Sequence, residues 1–121
     1  MSIEIWHNPR CSKSRQALAL ITDAGIEPRV RRYLEDPPSA GELKEALEAL
    51  GLEPWELARM AEPLAKDLGL GELPQEAEAR RQWIEVLCAN PKLIERPVVL
   101  SEDGRGVLGR PPEAVQALLG R

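Results

Sequence analysis

The sequence predicts an α/β fold in two halves, strand–helix–strand first and strand–strand–helix last, with a helical segment between them. Three observations carry this expectation. An apolar alternation at the N-terminus runs into a helical repeat and then a second strand pattern; two apolar runs near the C-terminus flank an Asp-Gly turn; and the stretch between is helical in period.

Ser2-Ile3-Glu4-Ile5-Trp6 places Ile3 and Ile5 on one side of a short strand. Pro9 ends it, because proline lacks an N–H and turns Asn8 away from helical geometry. A helix then runs from residue 11 or 12 to 24, with Ala17, Leu18, Ile21 and Ala24 at helical spacing and Gly25 as its stop. Residues 30–34 read as the second strand, closed by Glu35-Asp36-Pro37-Pro38; the crossover of such a unit is right-handed in nearly all proteins. Ser39-Ala40-Gly41-Glu42 is a capping box leading into Leu43, Ala46, Leu47 and Leu50. A second helix of the middle segment opens near Pro54 and covers residues 55–59. A third spans residues 75–89 with Ala79, Trp83, Val86 and Leu87 facing inward. Residues 97–100 and 106–108 flank Glu102-Asp103-Gly104-Arg105 as a hairpin. Pro111-Pro112-Glu113 opens a last helix, with Val115, Leu118 and Leu119 as its buried stripe and Gly120 at its end. This order is the thioredoxin-like plan: a four-stranded mixed sheet, β-α-β then β-β-α, with a three-helix insert at about residues 39–90, in one domain over residues 1–121.

Composition narrows the class. Hydrophobic residues make up 43% and charged residues 30%, the balance of a folded globular protein rather than a disordered one. Phe is absent and aromatics total 3%, so the core falls to Leu, Ile, Val and Ala. The net charge of −4, with acids concentrated over residues 35–78, argues against nucleic-acid binding, which needs a basic face. Met1-Ser2-Ile3-Glu4 shows no basic leader, and no apolar stretch approaches a membrane span, so a cytoplasmic protein is expected. One histidine and two cysteines, Cys11 and Cys88, leave a structural zinc set incomplete; neither a metal nor a bound cofactor is expected.

The chemistry centres on Cys11, where the first strand gives way to the first helix. First-turn N–H groups lack intrahelical partners and the dipole is positive there, so a thiolate is favoured. Residues 7–15 hold Arg10, Lys13 and Arg15 with no acid, and His7 lies close by, so these cations should add to the field. The competing reading, a buried cysteine acting as a small hydrophobe, sits badly with polar neighbours on both sides. Cys11-Ser12-Lys13-Ser14 is C-x-x-S, so no resolving thiol stands in the motif and exchange chemistry needs an outside one. The C-x5-R spacing of a cysteine phosphatase is not met either, since the nearby arginine is Arg15.

Arg59, Arg96 and Arg110 stand in unusual settings: in the helical insert, directly before Pro97 at the start of the third strand, and between the hairpin and the last helix. Each alone reads as solvated surface. Thioredoxin-like folds put a cis-proline opposite the cysteine, and Pro97 occupies that position, which would aim Arg96 at the thiol. Together with Cys11 the three form a cradle for a tetrahedral oxyanion, because planar guanidinium forks offer several fixed donors.

His7-Asn8-Pro9-Arg10-Cys11-Ser12-Lys13-Ser14-Arg15 resembles the nucleophile motif of the glutaredoxin-coupled arsenate reductase family. Leu93-Ile94-Glu95-Arg96-Pro97 and Gly109-Arg110-Pro111-Pro112-Glu113 resemble its later signatures, Arg59 falls at its insert arginine, and the similarity covers essentially the whole chain. The resemblance implies Cys11 as nucleophile and Arg59, Arg96 and Arg110 as oxyanion-binding and catalytic arginines. It makes His7 a catalytic residue that helps lower the thiol pKa. Asn8, Ser14 and Arg15 fall in the substrate-binding loop, which they would shape and hydrogen-bond. It further implies a monomer that takes arsenate as substrate, glutathione as co-substrate and glutaredoxin as partner. The implied path is thiolate attack on arsenic with loss of water, glutathione addition, and glutaredoxin-assisted release of arsenite. Trp6 stands where the family more often has tyrosine, keeping the flat apolar body and losing the hydroxyl.

Cys88 lies with Ile84 and Leu87 on an apolar helix face, which reads as core packing; the sharper alternative is a resolving thiol serving thioredoxin. Two rival functions differ in class. A redox-sensing transcriptional adaptor of the same superfamily typically carries C-x-x-C, and here position 14 is serine. A monothiol glutaredoxin does not place arginine before the cis-proline.

Overall fold

The computed structural model describes residues 2–119. The first strand, β1 (Ile3–Trp6), leads through a loop to α1 (Ser12–Asp23) and then β2 (Arg29–Arg31), which pairs parallel to β1 with Ile5 opposite Val30. The later strands, β3 (Val98–Ser101) and β4 (Gly106–Leu108), form the expected antiparallel hairpin, and β3 pairs antiparallel to β1 with Ile5 opposite Val99. The sheet order is β2-β1-β3-β4, so β1 and β3 are central and mixed pairing runs through β1.

Strand alternation divides the core between the two faces of this sheet. On one face Ile3, Ile5 and Val99 pack with Ala17 and Ile21 of α1 and with Val115 and Leu118 near the C-terminus. On the other, Trp6 and Val98 pack with Tyr33, with Leu43 and Leu47 of α2 (Ala40–Leu50), and with Trp83 and Leu87 of α5 (Arg80–Ala89). The capping box forms as the sequence requires: the Glu42 N–H donates to Ser39 Oγ at 3.1 Å and the Ser39 N–H donates to Glu42 Oε1 at 2.9 Å. Such a cap contributes about 1 kcal/mol and fixes where α2 starts.

Several boundaries differ from the sequence expectation, each for a physical reason. The second strand is shorter than residues 30–34, because the Glu35 and Asp36 N–H groups both turn back to the Arg32 carbonyl. Arg31 locks that turn, its guanidinium donating to the Asp36 and Pro37 carbonyls and to both oxygens of Glu42. Tyr33 is thereby buried in the turn instead of standing on a strand.

The helix opening at Pro54, α3, stops at Leu57 and does not reach Arg59. Ala58 turns extended and bridges antiparallel to Ile94; the Arg59 N–H donates to the Leu93 carbonyl at 2.7 Å and the Glu95 N–H to the Leu57 carbonyl at 2.9 Å. Pairing with a distant segment therefore replaces helix continuation. A further short helix, α4 (Pro63–Asp67), follows with Pro63 at its first position, and the helix expected at 75–89 begins as a 3-10 turn (Ala77–Ala79) before α5. Val86 packs half-buried against the core, whereas Ala24 falls off its stripe, exposed as the cap of α1.

The last helix is 3-10 over Pro112–Leu118 rather than α. Its buried residues are Pro112, Val115 and Leu118, spaced by three, and three residues per turn aligns them on one side. The Gly120 stop lies outside the described residues. Both Arg96–Pro97 and Arg110–Pro111 are cis; the first is the bond that the fold plan anticipates. Among the described residues no helix is long and apolar enough to cross a membrane.

Candidate active site

Cys11 is the N-cap residue of α1, in extended conformation, with its thiol half-exposed and its carbonyl accepting from the Arg15 N–H at 3.0 Å. The loop before it is held by its own polar groups. Asn8 Oδ1 accepts from the Arg10 N–H at 3.0 Å, the Cys11 N–H donates to the Asn8 carbonyl at 3.0 Å, and Arg15 Nη1 donates to the Pro9 carbonyl at 2.9 Å. Asn8 and Arg15 thus shape the nucleophile loop. Of the nearby cations, Arg96 is the one whose charge acts on the thiol.

Burial pushes the Cys11 thiol pKa up, but the N–H groups of Ser14 and Lys13 and the charge and hydrogen bond of the Arg96 guanidinium bring it below the ordinary value. The first-turn N–H groups and Arg96 act where the sequence places them, whereas the charges of Arg10, Lys13 and Arg15 are not among the sources of the shift. Lys13 contributes its backbone N–H, and the decisive cation is Arg96, delivered by the start of β3. His7 is a further correction. Burial, then Arg32 and Arg15, lowers its pKa, so the imidazole is neutral at neutral pH and brings no positive charge to the thiol.

Ser14 shapes and hydrogen-bonds the loop, as its place in the motif implies. Its side chain is fully buried, Oγ lying 2.6 Å from His7 Nδ1 and accepting from the Asn8 N–H at 3.0 Å. The hydroxyl therefore braces the loop from below, and only the Ser14 N–H serves the thiol.

The three arginines come together, each by a different route. Arg59 is carried in by the bridge between Ala58 and Ile94, and Arg96 by the start of β3. Arg110 follows Gly109, where a Cβ would lie 2.7 Å from Pro97 Cγ and 3.2 Å from Ala17 Cβ, so only glycine lets this loop press against Pro97 and α1. The Gly109 N–H donates to the Pro97 carbonyl at 2.9 Å and Arg110 Nη1 to the Arg96 carbonyl at 3.3 Å.

Two residues to which the sequence analysis gave no role stand in the middle of this group. Glu95 Oε1 lies 3.7 Å from Arg59 Nε, 3.3 Å from Arg96 Nη1 and 3.8 Å from Arg110 Nε. Tyr33, 1% exposed, has its pKa pushed up to about 12 by burial, against the pull of Arg96 and Arg59 and with the charges of Cys11 and Glu95 adding to the rise. Its phenol stays protonated, a donor within electrostatic reach of all four. Neither residue carries a local signal: Glu95 sits in a motif already noted for its neighbour, and Tyr33 reads as a strand residue.

Arg96 is the most enclosed of these three arginines, its side chain 17% exposed, and its Nε is buried without a hydrogen-bond acceptor among the described residues. A donor left open this way is costly unless an acceptor arrives. Trp6 keeps its indole on the core side, Nε1 donating to Glu4 Oε2 at 2.8 Å. Cys88 is half-buried on α5, its pKa raised by burial and then by Glu42. It packs with the cluster on the sheet face opposite α1, so the sheet separates it from the core that α1 covers. A groove of about 850 Å³ between α2 and α5 contains neither Cys11 nor the arginines; its Glu53 is already paired with Arg80 at 2.7 Å.

Fold and site together define a thioredoxin-like protein with a cysteine at the N-cap of its first helix and a cluster of three guanidinium groups. The chain belongs to the ArsC family, whose model matches residues 6–118. It is 41% identical over 118 residues to the arsenate reductase of Neisseria meningitidis serogroup A, covering 97% of each protein. It is 50% identical over 119 residues to an uncharacterized protein of Streptomyces viridochromogenes, covering 98% of this chain and all of that one. Among solved structures, an arsenate reductase from Vibrio cholerae superposes with a TM-score of 0.88 at 45% identity, covering 97% of both chains.

Proposed function

We propose that this protein reduces arsenate to arsenite, with Cys11 as nucleophile and glutathione and glutaredoxin as the source of electrons. The observation that carries the reading is Cys11 at the N-cap of α1, its thiol pKa lowered by first-turn N–H groups and Arg96, together with three guanidinium groups gathered on Glu95 Oε1. The thiolate attacks arsenic, forming a sulfur–arsenic bond while one oxygen leaves as water. Arg59, Arg96 and Arg110 hold the remaining oxygens through fixed donors and offset the charge that builds on them. Glutathione then adds. Oxidation of the two thiols to a disulfide supplies the electron pair that takes arsenic from pentavalent to trivalent, and glutaredoxin reduces that disulfide. Position 14 offers no second thiol and Cys88 packs on the far face of the sheet, which favours an external one. In this reading the chain acts as one domain and as a monomer in the cytoplasm, with no bound cofactor.

The test is purified protein with arsenate, glutathione, glutaredoxin and a nicotinamide-coupled readout. Turnover should depend on all three and vanish in Cys11→Ser, because loss of a nucleophile costs orders of magnitude in rate. No arsenate-dependent oxidation, or a Cys11→Ser protein keeping about a tenth of the rate, overturns the reading.

A further inference from the structure

Three arginines would ordinarily leave an anion site strongly positive and open to any tetrahedral oxyanion. Here they are not alone. Glu95 Oε1 receives Arg96 Nη1 at 3.3 Å and the Arg96 N–H at 3.2 Å, with Arg59 Nε at 3.7 Å and Arg110 Nε at 3.8 Å. The Glu95 N–H bond to the Leu57 carbonyl fixes the backbone here, in the same segment that brings Arg59 in, and the three guanidinium groups hold the carboxylate over the cradle. The side chain is 30% exposed and faces the same groups that surround the Tyr33 hydroxyl.

A carboxylate ionised beside guanidinium groups only accepts hydrogen bonds. An oxyanion entering the cradle must lay its oxygens on the arginine donors and at the same time meet the oxygens of Glu95. Hydrogen arsenate or hydrogen phosphate can do both, since each still carries one O–H at neutral pH and that proton can be donated to the carboxylate. Sulfate has the same shape and charge but only lone pairs to present, and it would meet Glu95 with repulsion. We propose that Glu95 is a specificity-determining residue that makes the cradle select oxyanions still carrying a proton and reject fully ionised ones. The inference rests on the oxyanion reading given above and adds the chemical state of the anion it takes.

The experiment uses the intact protein and inorganic anions as probes, reading protection of Cys11 from alkylation by mass spectrometry of its peptide. At a pH of about 8, phosphate and sulfate are both essentially dianionic, so shape and charge are matched. Phosphate should protect wild type at concentrations at least about tenfold lower than sulfate, because a site built to accept a ligand O–H discriminates strongly against the analogue that lacks it. In Glu95→Gln the side-chain amide can donate to sulfate, and the preference should collapse toward parity. Equal protection by the two anions in wild type overturns the inference while leaving the cradle intact. A preference that survives unchanged in Glu95→Gln assigns it to another group and overturns it as well. If phosphate, sulfate and arsenate all fail to protect, the oxyanion cradle itself falls, and the selectivity with it. The wild-type comparison decides even if the Gln variant folds poorly.

Discussion

Replacing Arg96 by glutamine removes the charge that the structure sets on the Cys11 thiol while keeping a polar side chain of similar reach. A hydrogen bond to a charged partner contributes about 1.5–3 kcal/mol, and one pKa unit corresponds to about 1.4 kcal/mol. Arg96 is 17% exposed, but Cys11 is only half-buried and partly screened by water, so the lower end applies and the Cys11 pKa should rise toward its ordinary value. Arg96→Lys keeps the charge and loses the fork, and should give a smaller rise. Thiolate absorbance or alkylation rate against pH measures it, in a Cys88→Ser background so that one thiol reports. Stability carries the same signature. A thiol whose folded pKa lies below its unfolded one contributes stability above the unfolded value, and this is lost as pH falls through the folded pKa. Wild type should therefore gain on Cys11→Ser as pH rises across that window, and Arg96→Gln should gain less. A glutamine variant whose midpoint stays within about 0.3 unit of wild type refutes the assignment of the field to Arg96.

Ser14→Ala should destabilise the fold by about 2–4 kcal/mol, since it strands both His7 Nδ1 and the Asn8 N–H in a buried setting. Chemical denaturation measures it, and a loss under about 0.5 kcal/mol would show that the hydroxyl is not the brace described. Cys88→Ser should keep full activity with glutathione and glutaredoxin, whereas wild type with thioredoxin alone should turn over little; a trapped Cys11–Cys88 disulfide together with loss of activity in the variant would reverse that expectation.

The sequence by itself determined the elements whose signals are local. Pro9 ends the first strand, Ser39 and Glu42 start α2, Asp103-Gly104 closes the hairpin, and Cys11 lands on the first turn of a helix, because each depends on residues a few positions apart. From those signals the sheet and the place of Cys11 follow. Tertiary structure alone decided where α3 ends, because Ala58 pairs with Ile94 across a long loop and takes Arg59 off the helix. It decided that the lysine and arginines beside Cys11 do not join Arg96, which the cis-proline position had aimed at the thiol, and that His7 is a neutral neighbour. It also placed Glu95 among the arginines and buried Tyr33. Hydrogen-bond pairing and charge act through space, and between segments this far apart in the chain no local pattern records which groups will meet.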